Sequence, residues 1–103
     1  MDIKVFKKND EYCVVFNDKG ERSDLYHVGS QQEIEVLYDA IKSVLADGND
    51  GQALTGGSSF AIVKANDAQY IISMAVTIEL AIGYKFSPQE IRHFASMLEK
   101  FLY

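Results

Sequence analysis

A single cysteine, Cys13, and two histidines, His27 and His93, are the residues best equipped for chemistry in this 103-residue chain. A cysteine nucleophile needs a base beside it to form thiolate, and the sequence alone identifies none for Cys13, which reads as a buried, inert thiol. The histidines have no cysteine or carboxylate at zinc-finger or zincin spacing, so they read as surface or half-buried side chains rather than ligands. Asp10 with Glu11, and Asp47 with Asp50, offer carboxylates, but neither pair has the ligand intervals of a calcium-binding loop. Thr55-Gly56-Gly57-Ser58 is glycine-rich without being a phosphate loop, because it precedes a strand and lacks the lysine. The sequence therefore predicts no enzyme, no catalytic residue, no cofactor and no metal.

The bulk composition agrees with a small folded domain. Apolar residues make up 48% and charged residues 24% of the chain, a globular profile, and the length suits one domain, 1–103. One cysteine excludes an intramolecular disulfide. The first residues lack a signal-like apolar core, and Ser73, Thr77 and Glu79 interrupt the most apolar window, which argues against a membrane span. A soluble cytoplasmic protein is expected.

The net charge of −5 is concentrated between residues 30 and 57. Glu33, Glu35, Asp39, Asp47 and Asp50 face Lys42 alone there, so this stretch is the candidate contact surface for a basic partner. A plain solvated helix face is the competing explanation.

The element pattern explains what must position these groups. Ile3–Lys7, Tyr12–Phe16 and Arg22–Val28 read as strands, the last polar enough for an edge, with Asn17-Asp18-Lys19-Gly20 as a hairpin turn. Ser30 and Glu33 form a capping box for a helix with apolar Ile34, Leu37, Tyr38, Ile41, Val44 and Leu45, closed by Gly48. The segment 47–58 reads as a flexible linker. Phe60–Lys64 is a strand, and the alternation from Tyr70 to Phe86 is too long for one strand, which predicts a bend or tight hairpin near Ala75–Thr77, with a helix from Asp67 to Gly83 as the rival reading. Ser87-Pro88-Gln89-Glu90 opens the final helix, whose apolar face runs from Ile91 to Leu102.

The chain divides into halves 1–46 and 59–103, and sliding by 57 residues lays 2–46 onto 59–103 without a gap. The identities include Lys7/Lys64, Asn9/Asn66, Asp10/Asp67, Ser30/Ser87, Glu33/Glu90 and Ile34/Ile91. This predicts an α+β fold: a tandem βββα repeat about a pseudo-twofold axis, with two helices and one antiparallel sheet of five or six strands sharing a core. The same slide sets His27 opposite Tyr84.

The junction Ile82-Gly83-Tyr84-Lys85-Phe86-Ser87-Pro88-Gln89-Glu90-Ile91 resembles the strand-to-helix junction of the positive-cofactor-four coactivator and whirly group. The resemblance implies sheet-plus-helix units that pair and bind single-stranded DNA across their sheets, here as a dimer fused into one chain. On that reading Lys4, Lys7, Lys8, Lys19, Arg22, Lys64 and Lys85 are candidate phosphate contacts, and Tyr12, Tyr26, Tyr70 and Tyr84 candidate stacking platforms. Otherwise the tyrosines line the core. The leading expectation is a non-enzymatic binding module, an adaptor, inhibitor or immunity-type regulator acting on a protein partner. Single-stranded nucleic acid is the alternative partner, and self-association stays open.

Overall fold

The computed structural model describes residues 1–17, 23–75 and 79–103. They form, in order, β1 (Ile3–Lys8), β2 (Glu11–Phe16), β3 (Asp24–Gly29), α1 (Gln31–Asp47), β4 (Gly51–Leu54), β5 (Ser59–Asn66), β6 (Gln69–Ala75), β7 (Ala81–Phe86) and α2 (Pro88–Glu99). The hairpin turn expected at 17–20 and the bend expected at 75–77 fall largely outside the described residues, as do Lys19 and Arg22. The hairpin itself is formed: β6 and β7 run antiparallel, with Ala75 opposite Ala81 and Tyr70 opposite Phe86.

The architecture is α+β with the βββα order made twice. The strands form two antiparallel sheets rather than one, in the orders β1-β2-β3 and β4-β5-β6-β7. The extra strand, β4, lies inside the segment expected to be a flexible linker. There, Gly51 and Ala53 point inward while Gln52 and Leu54 point out. A Cβ on Gly51 would meet Val44 Cγ2 at 2.7 Å and the Ala40 carbonyl at 3.2 Å, so the small residue lets the chain run close against α1. Small side chains here reflect close packing, not flexibility.

Both helices begin at capping boxes. Glu90 takes the Ser87 N–H at 2.8 Å and Ser87 Oγ takes the Glu90 N–H at 3.1 Å, with Pro88 in the first turn. Gly48 ends α1 in the left-handed region, φ 75°, its N–H bonded to the Val44 carbonyl. Asn9, φ 57°, makes the tight β1–β2 turn, and Asn66 Oδ1 takes the Ala68 N–H at the matching β5–β6 turn.

The inward faces of the two sheets and the apolar stripes of the helices share one core. Phe16 is its centre: its ring lies 4.7 Å from Tyr84, 5.6 Å from Phe86, 5.5 Å from Phe94 and 5.8 Å from Tyr26. Each helix also packs on the other half, α1 against β4 and β5, α2 against β1. The halves are interlocked.

The repeat is not uniformly 57 residues. Core-facing positions of β1, β5 and the helices match at that spacing, as Val5 with Ile62 and Leu37 with Phe94. The middle strands match at 58, as Val14 with Ile72 and Tyr26 with Tyr84. The ladder shifts register between Lys64 and Asn66, adding one residue to the second half. Gly29, φ 122°, adds one to the first half just before the Ser30 cap. The two insertions cancel, which is why the slide needed no gap. The true mate of Tyr84 is therefore Tyr26, not His27. Their hydroxyls hydrogen-bond to each other where the halves meet.

Candidate functional site

Directly opposed residues in antiparallel strands share a face, so the register decides which side chains can act together. On the outer face of the first sheet stand Lys4, Phe6, Lys8, Glu11, Cys13, Val15, Leu25 and His27. The Lys4 ammonium lies 5.4 Å from the centre of the Phe6 ring. Cys13 and Val15 are nevertheless buried, because they sit on the central strand among larger neighbours.

Cys13 has the base that the sequence did not reveal: its Sγ lies 3.5 Å from His27 Nδ1, and Glu11 Oε2 lies 3.7 Å from the same nitrogen. Cys13 and His27 are paired across β2 and β3, a contact that depends on a hairpin register the sequence leaves unfixed. The environment opposes thiolate. Burial pushes the thiol pKa up, the Glu11 charge pushes the same way, and Lys8 only partly offsets them. Cys13 is 1% exposed, so the thiol is closed to substrates although the His27 ring is exposed. Among the described residues, no three histidine, cysteine or acidic side chains gather to hold a metal ion.

The acidic candidates divide between two roles. The Glu33 carboxylate accepts the Ser30 N–H at 2.6 Å and also the Gly56 N–H, tying the start of α1 to the 55–58 turn. Those backbone bonds hold it below the usual carboxylate range. Asp47 accepts the Asn49 N–H at 2.8 Å just past α1. Glu35, Asp39 and Asp50 stay exposed.

The 55–58 turn is closely bonded rather than a flexible spacer. Thr55 and Ser58 bond to each other through backbone and side chain, Gly57 N–H donates to the Val28 carbonyl, and Ser58 Oγ donates to the His27 carbonyl at 2.7 Å.

The basic candidates do not form one track. Lys4 and Lys8 share the first sheet's outer face, whereas Lys7 lies on the opposite face, 5.5 Å from the Tyr12 ring centre. Lys64 pairs with Asp67 at 3.5 Å, and Lys85 is on the other sheet. Tyr12, Tyr70 and Tyr84 are buried in the core and offer no stacking platform. Tyr26 is half-buried against Phe16 and Tyr84. Tyr84 donates to Asp24 Oδ2 at 2.6 Å; desolvation first, then its bonds to Asp24 and Tyr26, push its pKa far above the usual phenol value.

The outer face of the second sheet differs from all of these. It presents Gln52 and Leu54 from β4, Ser59, Ala61 and Val63 from β5, Ile71, Ser73 and Ala75 from β6, and Ala81, Gly83 and Lys85 from β7. Lys85 is its one charge among the described residues. Gly83 is exposed in mid-strand with no bulge beside it and no positive φ; a Cβ there would make only ordinary contacts, 3.5 Å to Ile71 Cγ2 and 3.9 Å to Ser73 Oγ. The fold does not require glycine at that position. In strand interiors such a glycine often marks the close approach of a ligand or another backbone. The charge-poor face was hidden in the sequence because its residues alternate with core residues and carry no motif.

The chain matches no protein-family model, no curated protein and no solved structure. No described helix is long and apolar enough to cross a membrane.

Proposed function

We propose that the protein is a non-enzymatic binding module that engages a partner protein through the outer face of its second sheet. The observation that carries this reading is that, among the described residues, a four-stranded face carries a single charge in a chain that is 24% charged. Depletion of charge marks the centre of protein interfaces, where burying an unpaired ion is costly. Four strands about 4.8 Å apart and roughly 20 Å long give a patch of about 400 Å², the size of the largest apolar patch on a typical monomer and often functional. That is about half of one partner's share of a standard interface, so it forms the centre of a larger footprint or a transient contact. The net charge of −5 gives the molecule a negative long-range field, which favours a basic partner. Ala61→Arg with Ser73→Arg is expected to abolish calorimetric binding to a purified partner with the far-UV spectrum unchanged. Undiminished binding overturns the reading.

One observation favours a second reading: Lys4, Phe6 and Lys8 share a face of the first sheet, in a chain built as paired sheet-plus-helix units. That is the arrangement implied by the resemblance to the positive-cofactor-four and whirly group. Steeply salt-dependent binding of a single-stranded oligonucleotide, lost on Lys4→Glu with Lys8→Glu, would support it over the first reading.

A further inference from the structure

The molecule has four sheet edges, and three are protected. An open edge invites pairing with another strand, and proteins blunt such edges with charge, cover or brevity. β1 carries Lys4, Lys7 and Lys8. β3 is covered by Gly57 and Ser58, which bond to the Val28 and His27 carbonyls. β4 is four residues long and lies along α1.

β7 has none of these devices. It is six residues long, regular in register, free of proline, and carries one charge, Lys85. Among the described residues none bonds to its outer backbone edge. Its counterpart in the repeat, β3, is the strand that the 55–58 turn covers.

We propose that β7 pairs antiparallel with β7 of a second copy, joining two second sheets into one of eight strands. The strand is self-complementary when the twofold axis falls on Gly83. Lys85 then faces Ala81 of the other copy, so no like charges oppose. Ile82 faces Tyr84, a β-branched residue against an aromatic one. The axis passes through the residue without a side chain. The pairing leaves the outer face open and presents it twice, so this inference does not rest on the proposed function.

Sedimentation equilibrium of the full chain is expected to show a concentration-dependent dimer. Ala81→Lys sets two lysines against Lys85 of the opposite copy and raises the dissociation constant about fivefold or more. Adding Lys85→Glu turns those repulsions into opposite-charge pairs and restores the dimer. Far-UV spectra of both variants establish that the fold persists. A monomer at every concentration overturns the proposal, including one that instead takes up an extended peptide at β7. So does a dimer that Ala81→Lys does not weaken, or one that the second substitution does not rescue.

Discussion

Glu33 shows how one residue type can be read correctly for one role and missed for another. Its capping box is visible in the sequence because Ser30 and Glu33 have the required spacing. Its second bond, to the Gly56 N–H, spans 23 residues and depends on the path of β4, which local pattern does not determine. A carboxylate held below its unfolded pKa stabilises the fold above that value and loses the contribution as pH falls through the folded pKa. Glu33 and Glu90 both behave this way. Thermal melts are expected to show stability falling as pH drops below the ordinary carboxylate value of 4.5. Glu33→Gln is expected to melt lower at neutral pH and to lose less on acidification. An identical pH dependence in the two proteins would show that the charged bonds of Glu33 to the Ser30 and Gly56 N–H groups contribute nothing. Cys13 teaches a related lesson: its neighbour His27 is set by strand register, and burial keeps the thiol protonated despite that neighbour.

Helices were the most legible elements, because caps and a 3.6-residue stripe are local signals. Strands were found where apolar and polar residues alternate, and β4 was missed where glycine and alanine do structural work usually assigned to larger side chains. Glycines separate into two kinds here. A Cβ on Gly57 would meet the His27 carbonyl oxygen at 2.4 Å, so Gly57→Ala is expected to destabilise by about 1–3 kcal/mol by forcing the turn off β3. Gly83→Ala has room and is expected to stabilise by about 0.5–1 kcal/mol. Chemical denaturation of the pair checks both signs. If Gly83→Ala destabilised by more than 1 kcal/mol, the fold itself would require that glycine, and its value as a marker of the docking face would be lost.

At the scale of the whole molecule, the repeat was legible as a spacing but not as a geometry. Two compensating single-residue insertions, at the Lys64–Asn66 register shift and at Gly29, made an ungapped match conceal which residues are mates. The division into two sheets was hidden for a further reason: strand count and alternation do not say which strands pair. The halves share Phe16 and exchange helix contacts, so they should unfold as one unit. Phe16→Ala is expected to cost about 3–5 kcal/mol and to lower one cooperative transition rather than split it. Two separate transitions by calorimetry would contradict a common core. The proposed docking face is available for the same reason, because a second sheet packed on one side only leaves its other side to solvent, where a partner can reach it. The most direct test is a map of amide chemical-shift changes on titration with a purified partner. Changes centred on Ala61, Ser73 and Gly83 are the expected result; changes centred on Glu35 and Asp39 of α1, or on Lys4 and Lys8 of β1, would contradict the proposed docking face.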